Sequence, residues 1–426
     1  MPYSRYPSDT GEVEAVAAPA KPFSFSPNFR EDRCDFCGVC FEQCPVLQLP
    51  HDRAIEEIHA LIQGDSSEVL TRCTGCMACN SLCPHEANPH TLIVSRWGER
   101  YKATGIPERG RLVLPYQPSN LYALVMKHLP PDEQALVDRW RANARDLKGC
   151  DTALFAGCNL LLQPFLLDSP IYASLPIFGS LDLCCGEPLY RMGCWDVAKT
   201  VAEHVRDEFH RMGLKKVIVP CLAGYHLFKH VYPEVLGVEF PFEIVSVVEW
   251  LHGRVKRGEI HVTPLGKRAI LHDSCWAKAS GARLLDLTRD LLGLLGVEVV
   301  EPPHTRERAL CCGMCAPVAR FSLLDALTTA RKRLREFDAL QADFVIADCG
   351  GCNWLFAVAR KLSLTRNAKP IHDLLEIVPW AAGEPPSRRI ESRARWILAA
   401  AAPRLSVAYL SPRRFRIDAI AGRPVR

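Results

Sequence analysis

The sequence predicts an α/β protein with a separate, helical amino-terminal domain. From Thr152 onward, strand-like and helix-like segments alternate, as they do in proteins built on parallel sheets. Before Thr152 this alternation is missing, and the chain instead carries two compact runs of cysteines. The alternating pattern then repeats once, with cysteines at corresponding places. We therefore expect two similar α/β units in the carboxy-terminal part.

Composition limits the classes of protein that the chain can belong to. The 426 residues are 48% hydrophobic and 23% charged, which is typical of a globular protein of two or three domains. No secretory signal follows Met1, and apolar runs such as Ile397 to Ala402 are far shorter than the ~20 residues of a spanning helix. We expect a cytoplasmic protein that is peripheral on the inner membrane only through a partner subunit.

The expected organisation follows changes in composition along the chain. Its divisions are a flexible leader (1–30), a helical domain with two metal clusters (31–100), a connector (101–150), a first cysteine-rich unit (151–265), a second cysteine-rich unit (266–385) and a basic tail (386–426). The net charge of +4 is uneven, because ten arginines from Arg388 onward face only Glu391 and Asp418. We expect a solvated or partly disordered tail, with an acidic partner, phosphate or anionic lipid as the alternative. Without interleaved aromatic residues, nucleic-acid binding is not predicted.

Most of the 20 cysteines fall into groups with metal-ligand spacing, which in a cytosolic chain favours metal over disulfides. Two groups have the spacing of ferredoxin signatures, in which three cysteines bind one cubane and the fourth binds the other. A zinc site needs only two pairs of cysteines and has no use for eight. The sequence therefore predicts two [4Fe–4S] clusters, one held by Cys34, Cys37, Cys40 and Cys83, the other by Cys73, Cys76, Cys79 and Cys44.

Between these two runs, apolar residues at helical spacing predict a helix over Ala54–Ile62 with Gly64 at its end. In the connector, a helix is expected from Asp132 to Arg145, capped by Asp132. No chemistry is predicted for the connector.

Strands in the two α/β units are expected to end near cysteines. Open α/β sheets place their sites at the carboxyl ends of strands, so these cysteines are expected to face such sites. Matching cysteines of the two units are 117 to 128 residues apart. The expected strands are Thr152–Cys158, Lys216–Cys221, Arg268–His272 and Phe344–Cys349, and the expected helices are Val197–Met212 and Leu324–Phe337.

The second unit carries five cysteines in one spaced set. Adjacent cysteines have little structural use in an intracellular chain, but both can bind one large inorganic centre. Gly313, directly after the pair, lets the backbone turn close to that centre. The set comprises Cys275, Cys311, Cys312, Cys349 and Cys352.

The first unit has a reduced version of this set, because Gly224 replaces the last cysteine. Four thiolates suffice for structural zinc but not for the five-thiolate arrangement. Cys150 and Cys194 are near enough in sequence to compensate. An empty site, a zinc site and a second cluster all remain open for Cys158, Cys184, Cys185 and Cys221.

The pattern Cys, Cys-Cys-Gly, Cys-x-x-Cys resembles the cysteine-rich repeat of the heterodisulfide reductase family. The amino-terminal runs resemble the helical ferredoxins of that family and of succinate dehydrogenase. The resemblance implies a fused chain with a helical ferredoxin domain and two Rossmann-like α/β repeats. It also implies a non-cubane iron–sulfur cluster on the second unit's five cysteines, which would then be catalytic.

Two functions follow from the resemblance. In the first, electrons cross both cubanes to the non-cubane cluster, which reduces or forms a disulfide whose thiols are free or carried on a protein. His272, Asp273 and Asp348 neighbour the ligands and are candidates for protonating the leaving thiolate, with turn hydrogen bonding as the alternative.

In the second, the chain only transfers electrons within a flavin-linked 2-hydroxy acid dehydrogenase or another quinone-linked complex. Its partner would be a flavoprotein, in place of the membrane cytochrome expected for the first function. The segment Val46–Arg72 lacks the Gly-Pro-Arg-Gly-Arg-like sequence of glycolate oxidase subunits, which favours the first function.

Overall fold

The structure is a computed structural model that describes residues 28–147, 149–363, 368–420 and 422–424. The predicted leader lies almost wholly outside the described residues. Of Ala400, Ala401 and Ala402, only the backbone is described.

Short helices form the amino-terminal part and present its cysteines. The helix predicted between the two cysteine runs is confirmed, and it ends at Gly64, whose φ of 81° is the left-handed conformation that favours glycine. The two shortest helices directly follow cysteine turns. The helices are α1 (Val39–Glu42), α2 (His51–Gln63), α3 (Val69–Arg72), α4 (Ala78–Leu82) and α5 (Pro89–Thr104).

The connector contains β1 (Ile106–Pro107), α6 (Leu121–Met126) and α7 (Pro131–Asp146). The helix predicted here is present, but Asp132 is not its cap, so that part of the prediction is wrong. Pro130 precedes the first helical residue, and Asp132 lies in the first turn, where it pairs with Arg389 at 2.7 Å. Proline is favoured at the start of a helix because its missing N–H has no helical partner there.

The first α/β unit is built on a four-stranded parallel sheet with the order β3-β2-β4-β5. A π-helical segment, Leu227–Leu236, extends its fifth helix. The strands are β2 (Thr152–Phe155), β3 (Ile177–Phe178), β4 (Lys216–Val219) and β5 (Glu243–Ser246). The helices are α8 (Cys158–Leu161), α9 (Pro170–Ala173), α10 (Glu187–Arg191), α11 (Trp195–Arg211), α12 (Leu222–His226) and α13 (Val247–Lys256).

The second unit has its own four-stranded parallel sheet, with the order β7-β6-β8-β9. Both sheets therefore share one strand order, which confirms the mixed α/β class with parallel sheets. The strands are β6 (Lys267–His272), β7 (Val297–Val300), β8 (Phe344–Ala347) and β9 (Ile371–Asp373). The helices are α14 (Cys275–Ala279), α15 (Ala282–Leu294), α16 (Cys315–Ala319), α17 (Leu323–Asp338), α18 (Gly350–Lys361) and α19 (Leu374–Ala381).

The basic tail is mostly ordered, so the expectation of a solvated tail is wrong for its described part. Helix α20 (Arg389–Leu410) packs against α18, and Ile390, Ala394 and Ile397 are buried there. Strands β10 (Arg414–Phe415), β11 (Ala419–Ile420) and β12 (Arg423–Pro424) follow, and β10 pairs with β1.

Hydrogen bonds from buried or long side chains join the three parts of the chain. Tyr101 in α5 donates to the carbonyl of Ala319 at 2.6 Å, which fixes the amino-terminal domain on the second unit. Tyr172 donates to the carbonyl of Leu375 at 2.6 Å, which fixes the first unit on the second. Within the described ranges, no helix is both long enough and apolar enough to cross a membrane.

Candidate iron–sulfur centres

The first predicted cubane group lies near the surface of the amino-terminal domain. Cys34, Cys37 and Cys83 are half-buried, and Cys40 is buried. Burial raises the pKa of Cys40 well above its ordinary value, and the nearby sulfurs of the other three raise it further. The structure therefore brings together the four cysteines that the crossed ferredoxin pattern assigns to one cluster.

The second predicted cubane group is wholly buried. Burial raises the pKa of Cys79 well above its ordinary value, and the sulfurs of Cys73, Cys40, Cys76 and Cys44 add to this effect. Cys44 thus lies with the later run, as the crossed pattern requires. The contribution of Cys40 also shows that the two groups are neighbours.

Backbone amides point at several of these sulfurs. The amides of Leu47, Gly75 and Ala87 donate to the sulfurs of Cys44, Cys73 and Cys83 at 3.3–3.4 Å. In the second unit, Gly313 and Met314 donate to the sulfurs of Cys311 and Cys312 at 3.2 and 3.4 Å. Such N–H···S bonds stabilise negative charge on sulfur and are typical of thiolates that bind metal.

The second unit's cysteines follow the two strands between which its sheet changes direction. β7 lies on one side of β6 and β8 on the other, so the carboxyl ends of β6 and β8 flank the crevice where α/β sheets bind ligands. Cys275 follows β6 and Cys349 follows β8. The sulfurs of Cys312 and Cys352 are 3.0 Å apart, and Cys349 hydrogen-bonds to Cys352. The structure therefore brings the predicted set together.

A sixth cysteine, Cys315, belongs to this group and was not predicted. Its sulfur lies 3.8 Å from that of Cys275, and it is also hydrogen-bonded to Cys311. The signal was present in the sequence as Cys311-Cys312-Gly313-Met314-Cys315, but the five-cysteine pattern leaves no role for the last residue. Gly313 has a φ of 101°, and a Cβ there would lie 2.4 Å from the carbonyl oxygen of Ala326. Glycine is therefore required at this turn.

Of the three proposed proton-handling residues, only His272 lies among the sulfurs. Its ring and the sulfurs of Cys312 and Cys352 are within 4.8 Å of one another. Asp273 instead forms an ion pair with Arg289 at 2.9 Å. Asp348 accepts the amide hydrogen bond of Ser274 at 3.0 Å. The two aspartates therefore have the structural hydrogen bonds that were the alternative to a chemical role.

The first unit's four cysteines also lie together. The sulfurs of Cys158 and Cys184 are 3.7 Å apart, and Cys185 and Cys221 adjoin them. A Cβ on Gly224 would lie 3.9 Å from the sulfur of Cys185, so Gly224 occupies the place of a missing ligand.

The two cysteines proposed to compensate are located elsewhere. Cys150 precedes β2 while Cys158 follows it, so the length of a strand, about 3.3 Å per residue, separates them. Cys194 lies in a surface groove with Tyr101 and Phe415.

The sulfur groups of the two units face each other. The nearby sulfur of Cys349 is the largest influence after burial among those that raise the pKa of Cys221 to about 12. Gln163 of the first unit donates to the carbonyl of Gly350 in the second at 3.1 Å. The carboxyl edges of the two sheets therefore meet at one region lined by sulfur.

An apolar cavity of about 180 Å³ adjoins this region. Met314, which lies between two cysteines of the second unit, forms part of its wall, and Tyr122, close to Cys158 and Cys184, forms another part. The buried indole N–H of Trp354 also lines the cavity and has no partner among the described residues. The cavity therefore offers apolar walls and one hydrogen-bond donor.

Comparison with protein families agrees with this division of the chain. Residues 26–84 match the family model of a 4Fe-4S dicluster domain. Residues 172–225 and 269–357 match the model of a cysteine-rich domain named for its Cys-Cys-Gly motif. Fold and cysteines together define an iron–sulfur protein in which a dicluster domain precedes a cysteine-rich domain.

Similar proteins narrow this class. One subunit of the dihydromethanophenazine:CoB–CoM heterodisulfide reductase from Methanosarcina mazei is 26% identical over 399 residues, which cover 83% of this chain and 94% of that protein. The EtfAB:quinone oxidoreductase of Syntrophomonas wolfei is 25% identical over 372 residues, covering 79% of this chain and 50% of that protein. The chain is a heterodisulfide reductase-like iron–sulfur subunit.

Proposed function

We propose that the chain carries electrons through two [4Fe–4S] cubanes to a non-cubane iron–sulfur cluster on its second unit, where a disulfide is reduced or formed. One observation carries this proposal. Six cysteines of the second unit converge at the β6/β8 crevice, and the loop of the second cubane group packs against them. A Cβ on Gly75 in that loop would lie 3.5 Å from the Cβ of Cys315.

The proposed ligands follow from the groups described above. Buried thiols, amide donors and the lack of competing carboxylates within these groups fit iron–sulfur ligation. The first cubane takes Cys34, Cys37, Cys40 and Cys83, the second takes Cys44, Cys73, Cys76 and Cys79, and the non-cubane cluster takes Cys275, Cys311, Cys312, Cys349 and Cys352, with Cys315 as an additional sulfur.

Electrons are proposed to enter at the first cubane group, because three of its four cysteines are half-buried and the other groups are mostly buried. Exposed Glu31, Asp32 and Asp35 surround this edge. A redox partner subunit with a basic face would complement it. The chain then stays cytoplasmic, and a membrane cytochrome or a flavoprotein supplies the electrons.

When bound, the cluster supplies one-electron steps and iron that accepts sulfur. Reduction of one disulfide consumes two electrons and two protons and yields two thiols. His272 is the residue placed to serve the reacting sulfur. Arg333 donates to its Nδ1 at 3.4 Å, so neutral His272 carries its proton on Nε2, which has no partner among the described residues. That N–H is available to a sulfur beside Cys312 and Cys352.

The cavity beside Met314 suggests one feature of the substrate. Its walls are almost entirely apolar, so it would accept the apolar arm of a thiol or disulfide. The path that a bulky disulfide needs to reach the cluster is proposed to run along this cavity.

The first unit's four sulfurs fit a structural zinc ion, which needs four thiolates. An empty site and a second cluster are the alternatives. Metal analysis of purified protein separates the three, because only the first adds zinc and only the last adds iron beyond the three proposed clusters.

The proposed function is tested on protein purified without oxygen and titrated with dithionite. Electron paramagnetic resonance should show three distinguishable iron–sulfur signals. Disulfide reduction should also follow when a reduced viologen supplies the electrons. A sample with only two signals and no disulfide reduction would contradict the proposal.

A second candidate function is electron transfer alone. The similarity to the EtfAB:quinone oxidoreductase, and to one subunit of the fumarate reductase (CoM/CoB) of Methanothermobacter marburgensis, favours it. The latter is 23% identical over 357 residues, covering 78% of this chain and 68% of that protein. In this case the second-unit cluster relays electrons and no disulfide reacts at it.

A further inference from the structure

Arg191 is a fully buried arginine that contacts all three parts of the chain. It lies in the first unit and is 1% exposed. Its Nη1 donates to the carbonyl of Gly75 in the cubane loop at 2.6 Å, and its Nη2 donates to the sulfur of Cys275 in the second unit at 3.0 Å. Its Nε donates to Glu187, and the guanidinium lies 4.3 Å from the ring centre of Trp276. One cation therefore links the second cubane group to the non-cubane group.

Lys278 is a second buried cation between the same two groups. It is 2% exposed, and its Nζ donates to the carbonyl of Ala309 at 3.0 Å. Among the described residues, no carboxylate forms an ion pair with it. Although burial raises the pKa of Cys76 to about 12, the charge of Lys278 acts to lower it. The ammonium thus faces both the cubane loop and the second unit.

Two buried cations so close together need compensating negative charge. Moving an ammonium out of water costs several kcal/mol unless an anion or hydrogen bonds offset the loss. Glu187 offsets part of the charge of Arg191, but Lys278 has only one backbone carbonyl and the surrounding sulfurs. The negative charge that these cations require is therefore the charge of the metal centres themselves.

We propose that Arg191 and Lys278 are positioning residues that stabilise the reduced states of the second cubane and the non-cubane cluster. The inference rests on the proposed function, which places clusters in both groups. Each added electron makes a cluster more negative, and a fixed positive charge at short range in a buried site favours that state. The two cations therefore raise the reduction potentials of both centres, and Arg191 also holds the cubane loop against Cys275.

The test is a redox titration of each signal by electron paramagnetic resonance in the complete, anaerobically prepared protein. The neutral variants are Arg191→Met and Lys278→Met, and the charge-conserving variants are Arg191→Lys and Lys278→Arg. Lys332→Met is the matched control, because Lys332 also joins the second unit to the cubane domain, donating to the carbonyl of Pro45 at 2.9 Å, but is exposed to solvent.

Each neutral variant should make reduction of the second cubane and the non-cubane cluster about tenfold less favourable, a fall of about 59 mV for a one-electron couple. The first cubane should change little, and Lys332→Met should change none of the signals. Charge-conserving variants should retain most of the wild-type potential. Neutral variants that lose a cluster which their charge-conserving counterparts retain would also support the inference.

Three signals at unchanged potentials in both neutral variants would overturn the inference and leave the proposed function intact. Loss of the cluster in the charge-conserving variants as well would show that side-chain shape matters and charge does not, which also overturns it. A wild-type protein without a third signal would instead contradict the proposed function itself.

Discussion

The sulfur of Cys315 lies 3.8 Å from the sulfur of Cys275, although 40 residues separate them in the chain. Cys315 also lowers the pKa of Cys275, to about 7 in spite of burial, and the charge of Arg191 adds to this effect. Cys275 is thus the sulfur of the second unit at which a thiol neighbour and a buried cation meet. This relationship gives Cys315 a place in the cluster that the five-cysteine pattern does not.

Cys315→Ala should change the signal of the second-unit cluster and leave both cubane signals as they are, because Cys315 contacts only sulfurs of the second unit. The change is measured by electron paramagnetic resonance, with iron content as a second readout. Cys194→Ala is the control, since Cys194 lies in a surface groove away from the sulfurs. An unaltered spectrum in Cys315→Ala would remove Cys315 from the centre.

Cys44→Ala should damage the cluster held mainly by Cys73, Cys76 and Cys79, because the fourth ligand of each ferredoxin run binds the other cluster. The structure brings Cys44 to that group. Spectra of the variant distinguish the two cubanes by which signal is lost. Selective loss of the cluster of Cys34, Cys37 and Cys40 would show that the ligands are not crossed.

Iron analysis of anaerobically purified protein should give about twelve atoms per chain, four for each of three clusters. A value of about eight would mean that the second unit holds no cluster. A value of about sixteen would mean that the first unit holds one despite Gly224, and zinc in place of the extra iron would indicate a structural site there.

Glu133→Ala should destabilise the protein by about 3 kcal/mol, because it leaves the buried charge of Arg393 without its partner. Both side chains are buried where α20 docks on α7. Denaturant unfolding of the complete protein measures the effect. Asp138→Ala is the control on the same helix, since Asp138 is 74% exposed and pairs only weakly with Arg141 at 3.8 Å. Equal stability of both variants would show that this ion pair does not hold α20.

Much of the fold could be predicted because its signals are local. The apolar spacing around Ile58 predicts a helix on its own, and the ferredoxin spacing predicts which cysteines share a cluster even across 28 intervening residues. The strands of both units were predicted to within a few residues, since buried parallel strands are short apolar runs. In three of the four, the structure ends the strand before the cysteine, which begins or precedes the next helix.

The parts that could not be predicted depend on contacts between distant residues. An arginine-rich tail indicates solvent exposure until Glu133, about 260 positions earlier, is known to neutralise Arg393 in the interior. Arg191 likewise looks like an ordinary helical arginine in the sequence, and only the packed structure places it between Gly75 and Cys275. Cys315 was overlooked for a different reason, because the five-cysteine pattern was already complete.

The most direct test of the account is whether a thiol reaches the second-unit cluster. Cys312→Ala should abolish disulfide reduction while both cubanes remain reducible by dithionite, since Cys312 lies only among second-unit sulfurs. In the wild type, adding 2-mercaptoethanol or its disulfide, and in parallel hexanethiol for the apolar cavity, should perturb the second-unit signal alone. If that signal stays unchanged under turnover conditions, the disulfide-reducing function is wrong and the chain only relays electrons.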